Sequence, residues 1–298
     1  MQATIRIEAS RRSHLTSSAE PYRSPAIDRP NSFKIGSDEH KRLFCRMLLD
    51  SFDPYKPALI DWPQLAPDAL ARLTGLPFWG IAVQTEDRAS AHFVAMAKET
   101  TDPLIKEALE LIAFEEARHR RVLDGLISHY GIKNTEPEPY VPSSRTEWNY
   151  MSTGYGECFD SFFAFGLFEL ARRSGFFPPE LVETFEPVIR EESRHITFFV
   201  NWAAYAQANK PLAAKPWFAL KRLYLLAENG LSRAGLTKGD QEDFAKNGKD
   251  SVGVDINLRE FIDMCLAENA RRMQHMDPRL LRPQIMPRLA RMARVFAR

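Results

Sequence analysis

Cysteine is scarce in this chain of 298 residues. There are three, Cys45, Cys158 and Cys265, far apart in sequence. Without a Cys-x-x-Cys, a zinc ribbon, a rubredoxin-type iron site and a thioredoxin-like motif are excluded. So few cysteines fit a reducing compartment, and a cytoplasmic location is the expectation. Charge of one sign is also missing. The formal net charge is +1, so no overall field draws the chain toward nucleic acid or a membrane. No apolar run reaches the roughly 18 residues of a membrane-spanning helix. The first twenty residues lack the apolar stretch of a secretory signal. Runs of alternating apolar and polar residues, the mark of strands, are absent too. The chain reads as all-α.

What is present is helical periodicity with clear punctuation. Residues 1–32 are polar, hold Pro21, Pro25 and Pro30, and are expected to form a disordered tail. Residues 33–298 are expected to form one helical domain. A helix over 37–52 opens at Ser37, and a short one covers 68–76. Four long helical segments follow at about 78–99, 102–130, 153–174 and 178–208. Thr101 or Asp102 caps the second of these, with Pro103 in its first turn. Gly175 closes the third, and Pro178 and Pro179 open the fourth. A longer proline-containing connection, 131–149, joins the two hairpins. That pattern predicts a four-helix bundle with one crossover over about 78–208. A C-terminal extension, 209–298, contributes further helices around a polar stretch at 238–255. Its last helix sets Arg282, Arg288, Arg291, Arg294 and Arg298 opposite Leu289, Met292 and Phe296. A solvated face, a homodimer contact or a nucleic-acid contact could each use it.

The chemistry lies in acids that interrupt apolar stripes. On the second long helix Leu109, Ile112, Glu116, His119, Leu123 and Leu126 recur every three or four residues. On the fourth, Leu181, Phe185, Val188, Glu192, His195, Phe199 and Trp202 do the same. A single Glu-x-x-His on a helix is common and means little. Here it occurs twice, each time inside Glu-Glu-x-Arg-His and each time on the core-facing stripe. A buried carboxylate without a partner is costly. A metal ion held jointly by the Glu and the His, which share a helix face, removes that cost. The first helix offers Glu86 on its stripe of Trp79, Val83, Ser90, Phe93 and Ala97, while Asp87 points elsewhere. The third offers Glu157 and Asp160, either or both of which could bind. Glu169 falls on the far side and reads as surface charge. Glu86, Glu116, Glu192 and one acid of the third helix carry four negative charges, which two divalent cations would neutralise. Carboxylate and imidazole donors suit iron or manganese better than structural zinc.

The doubled motif, Glu115-Glu116-Ala117-Arg118-His119 and Glu191-Glu192-Ser193-Arg194-His195, with Glu86 and Glu157 or Asp160 on the partner helices, resembles the ferritin-like di-iron carboxylate superfamily. That superfamily includes rubrerythrins, ribonucleotide reductase small subunits, soluble desaturases and bacterial multicomponent monooxygenases. The resemblance covers about residues 78–208. It implies a ferritin-like bundle, two iron ions cycling between Fe2+ and Fe3+, or a manganese–iron pair, and a reaction with O2. By it, Glu116 and Glu192 would bridge the metals and His119 and His195 would each cap one. Glu115, Arg118, Glu191 and Arg194 would form the surrounding layer that sets the imidazole tautomers.

Departures from relatives narrow the chemistry. The four-cysteine module of rubrerythrins is missing, and Leu123 stands where radical-forming reductase subunits place a tyrosine. An oxidase or oxygenase acting on a small-molecule substrate is the expectation, with no residues beyond the metal ligands needed for catalysis. Phe159, Phe162, Phe163, Phe165 and Phe168 crowd the third helix and could line an apolar pocket or fill the core. No flavin, haem or iron–sulfur motif is visible, so electrons would come from a separate protein. Two other classes fit the same motif. One is a ferritin-like metal protein without oxygenase activity, serving iron handling, peroxide reduction or as a scaffold. The other is an RNA-modifying hydroxylase. His92, His129 and His275 read as satisfied or surface histidines.

Overall fold

A computed structural model describes residues 33–134, 140–233 and 257–296. The N-terminal tail and the polar stretch 238–255 lie outside them. Among the described residues there are ten α-helices and no strand. They are α1 (Asp38–Leu49), α2 (Pro67–Thr74), α3 (Trp79–Glu99), α4 (Pro103–Tyr130), α5 (Thr146–Ser174), α6 (Pro179–Thr184), α7 (Glu186–Asn209), α8 (Lys215–Arg233), α9 (Leu258–Met273) and α10 (Ile285–Phe296). The protein is all-α, and none of these helices is long and apolar enough to cross a membrane.

Local chemistry sets most of the ends. Ser37 caps α1 by accepting the His40 N–H. Asp102 caps α4 by accepting from Leu104 and Ile105, with Pro103 pre-set for the first turn. Gly131 and Gly175 close α4 and α5 in the left-handed conformation, at φ 62° and 65°. Two boundaries differ from the sequence reading. α5 begins at Thr146 rather than near 153, because the Trp148–Met151 turn buries Tyr150 and Met151 in the core. The segment 178–208 is two helices, broken at Phe185. Pro187 has no N–H to give to Glu183 and its ring crowds that carbonyl, so the chain restarts as α7.

α3 packs on α4 and α5, and α7 packs on α5 and α4. α1 lies across α4 and α7, with Phe44, Cys45 and Leu48 fully buried against them. α5 is in addition covered by α8, α9 and α10. This covering overturns the surface reading of Glu169. It is buried, accepts from Arg172 and Arg173, and is held down to about 2, by Arg172 first. α5 and α7 approach closely where Gly154 meets Phe199: a Cβ at Gly154 would enter the ring.

α8 buries Phe218 and Leu225 but carries apolar side chains on its outer face as well. Lys221 and Arg233 reach inward to Glu147 and Asp160, and Arg222 donates to the Tyr155 hydroxyl. Its outward face exposes Trp217, Leu220, Leu223, Tyr224 and Leu231. On α10 the apolar side, Leu289, Met292 and Phe296, is also exposed, while Arg294 pairs with Asp263.

Candidate metal centre

The Glu-x-x-His pairs face inward because the residues above and below them on their helices are core residues. Ile112 on α4 and Ile196 and Phe199 on α7 are fully buried. Four polar side chains are thereby carried inside: Glu116, His119 and His195 are buried, and Glu192 keeps only 17% of its side chain accessible. Glu86 arrives from α3. One ligand atom from each of Glu86, Glu116, His119 and Glu192 lies within 4.8 Å of all the others. His119 Nδ1 is 3.2 Å from Glu192 Oε1 and 3.5 Å from Glu86 Oε2. His195 Nδ1 is 2.7 Å from Glu116 Oε1.

These atoms are near one another without being hydrogen-bonded. Glu116 Oε1, His119 Nδ1, His195 Nδ1 and both carboxylate oxygens of Glu157 are buried with no hydrogen-bond partner. Buried polar atoms are normally paired, and five orphans on four neighbouring side chains require an explanation. A bound cation supplies one. Metal–ligand bonds of about 2.1 Å place neighbouring ligand atoms about 3 Å apart, with lone pairs aimed at a common centre rather than at each other. The electrostatics agree. Burial, followed by the charges of Glu192 and Glu86, pushes the Glu116 carboxyl well above its ordinary range. Burial, followed by Glu116 and Glu192, does the same to Glu157. No Lys or Arg of the described residues pairs with any of the four acids. The donor set therefore fits metal binding.

Behind the ligands lies a second ring of charge, and it is reciprocal. On α4, Glu115 accepts from Arg194 Nη2 and His195 Nε2 of α7, both at 2.7 Å. On α7, Glu191 accepts from Arg118 Nη2 at 2.5 Å and His119 Nε2 at 2.9 Å of α4. Each motif's first Glu thus holds the other motif's Arg and His. Each imidazole Nε2–H donates to a carboxylate, so the neutral ring turns its Nδ1 lone pair to the centre. Burial opposes ionisation of Glu115, but His195 and Arg194 outweigh it and bring it to about 2. The two Glu and two Arg cancel in charge. The Nη1 groups donate at the end of α1 and beyond: Arg194 to the Leu48 carbonyl and the Ser51 hydroxyl, and Arg118 to the Asp53 and Tyr55 carbonyls. The Arg118 guanidinium also lies 4.0 Å over the Tyr55 ring.

The open side of the acid cluster faces a cavity of about 320 Å³. Glu86, Glu116, Glu157 and Glu192 are among its lining residues. Its walls are apolar and come from α2, α3, α5 and the α6–α7 corner, with Leu73, Phe78, Trp79, Phe168, Phe177 and Phe185 among them. Of the five phenylalanines of α5, Phe163 and Phe168 line the cavity, while Phe159, Phe162 and Phe165 fill the core.

No family model, curated protein or solved structure matches this chain.

Glu86, Glu116, His119 and Glu192 come together. His195 joins through Glu116, and Glu157 presents an unpartnered carboxylate to the same cavity. Asp160 does not join them: Arg233 binds it bidentately, at 2.6 and 2.5 Å, so its charge is already neutralised. Glu115, Arg118, Glu191 and Arg194 form the surrounding layer, with hydrogen bonds across helices and longer ion pairs within each. Sequence reasoning missed Tyr55 and the carbonyls of Leu48, Asp53 and Tyr55. Main-chain acceptors leave no residue-type signal. It also missed the cavity walls from α2 and the α6–α7 corner. His92 is buried between Thr153 and Tyr140, and His129 and His275 are exposed, all away from the ligand cluster.

Proposed function

We propose that this protein is a non-haem di-iron oxidase or oxygenase that uses O2 to oxidise an apolar small molecule. The observation that carries the reading is the unpartnered ligand set in the lining of an apolar cavity. The neighbour relations of α3, α4, α5 and α7 support a ferritin-like bundle around it. Glu86, Glu116, Glu157 and Glu192, with His119 and His195, would hold two divalent metals whose charge equals that of the four carboxylates. Two iron ions there would supply reductive activation of O2. The chain's own residues do the rest. Glu115 and Glu191 hold the Nε2 protons of His195 and His119, Arg194 and Arg118 pair with those two Glu, and the apolar walls exclude water. Electrons would come from a separate donor protein. A metal protein without oxygenase activity would have no use for the cavity, which favours the oxygenase reading.

Metal analysis and Mössbauer spectroscopy of the native protein test this. Two irons per chain, and O2 consumption after reduction, are expected. Zinc alone, or a reduced iron form inert to O2, would overturn it. A homodimer is also proposed. The outward face of α8, apolar but for Glu228, offers roughly 700 Å² for a second copy, close to one side of a standard interface. Light scattering on the wild type and on Trp217→Lys should give a dimer and a monomer, respectively; a monomeric wild type refutes it.

A further inference from the structure

The cavity contains an ion pair that the metal reading leaves without a task. Asp160 and Arg233 both line it. Among the described residues Arg233 is the sole cation in the cavity wall, and all three of its donor nitrogens are used. Nε and Nη2 grip the two oxygens of Asp160, and Nη1 donates to Asn229 Oδ1 at 2.9 Å. The guanidinium can lie flat against α5 because residue 156 is glycine; a Cβ there would stand 2.8 Å from Nη2. The pair is therefore built into the wall rather than swinging in solvent: Arg233 keeps 12% of its side chain accessible.

Consider what a ligand meets on entering. The walls are mostly apolar, the four carboxylates of the lining are those that two divalent metals would neutralise, and the one guanidinium is already paired with Asp160. A ligand carboxylate would lose its hydration, and the one cation in the wall already holds a carboxylate of its own. An uncharged apolar molecule loses nothing polar and covers apolar wall. Without Asp160 the same cavity would present a desolvated, planar guanidinium, the preferred partner of a carboxylate.

We propose that the cavity takes an uncharged apolar molecule and that Asp160, by occupying Arg233, is the residue that excludes apolar carboxylic acids. This deepens the oxygenase reading, because it names the class of substrate such a site would oxidise. It is nevertheless a statement about binding, and it can be tested without turnover.

The experiment uses the full-length protein, as purified and with its metal content measured. The fluorescent apolar probe N-phenyl-1-naphthylamine is bound and then displaced by methyl decanoate or by decanoate, which share a chain and differ in charge. In the wild type, methyl decanoate should displace the probe at a concentration at least about tenfold lower than decanoate. In Asp160→Asn that ratio should shrink by about tenfold or more, through tighter decanoate binding, and added salt should restore it. In Asp160→Asn/Arg233→Gln, where no charge remains at the pair, the preference for the ester should return. The double variant is also the control for folding, since it removes both charges together. Failure of the wild type to bind the probe would overturn the proposal. So would equal displacement by the two competitors in the wild type, or an unchanged ratio in folded Asp160→Asn. Failure of the di-iron reading would appear separately, in the metal content and in O2 consumption.

Discussion

The reciprocal charge layer behind the ligands makes a quantitative commitment, and Glu115→Gln measures it. The substitution keeps size and one hydrogen-bond acceptor but removes the charge that Arg194 and His195 share. Glu115 is fully buried, and its carboxyl falls from the ordinary 4.5 to about 2 in the folded protein, with His195 the leading favourable partner and Arg194 next. That displacement corresponds to about 3 kcal/mol of stabilisation by the ionised form. Removing one member of a buried ion pair costs about 3–5 kcal/mol by a different route, the exposure of the remaining charge to a dry interior. The two agree, and a loss of about 3 kcal/mol at neutral pH is expected in urea unfolding. The pH dependence has a definite sign. A carboxyl whose folded pKa is depressed contributes stability above its unfolded pKa and loses it as the pH falls toward the folded value. The gap between wild type and variant should therefore be complete above about pH 4.5 and close on acidification toward 2. Metal affinity should fall by about 10–100-fold in chelator competition, because His195 loses the partner that fixes its tautomer. A variant as stable as the wild type at neutral pH, or a gap that does not narrow in acid, would refute the reasoning.

Three further outcomes are expected. Glu116 and Glu157 are raised by burial and by neighbouring carboxylates. Their contribution is complete below about pH 4.5 and is lost as the pH rises toward their folded values, so the metal-free protein should lose stability in thermal melts between about pH 5 and 8, and added Mn2+ or Fe2+ should abolish that decline. Glu157→Gln should lower the metal content per chain, whereas Asp160→Asn should leave it unchanged, because only Glu157 presents free oxygens to the centre; metal analysis of the two side by side decides it. Gly154→Ala should destabilise by about 1–3 kcal/mol in urea unfolding, since the added methyl enters the Phe199 ring between α5 and α7.

Periodicity alone marks the inner ligands. Glu116, His119, Glu192 and His195 fall on apolar stripes at helical spacing, and Glu86 falls on a third. Whatever folds those helices buries those residues. Helix ends are legible for a similar reason, because Ser37, Asp102, Pro103, Gly131 and Gly175 act on backbone groups within a few residues of themselves. Pro187 is just as local, and its missing N–H is enough to divide 178–208. Other features depend on partners distant in sequence. Glu157 and Asp160 sit one turn apart on the same helix and are equivalent by spacing. What separates them is Arg233, about seventy residues away, which neutralises one and leaves the other bare. Glu169 has the spacing of a surface charge, and only the packing of α9 on α5 covers it. The cross-pairing of Glu115 with Arg194 and His195, the carbonyls that receive Arg118 and Arg194, and the apolar cavity all join elements remote along the chain. The sequence by itself determined which groups had to be buried, because helical repeat is a local property. Which of them remain free to bind a cation was decided only by tertiary structure, because a buried charge is satisfied by its nearest neighbour in space.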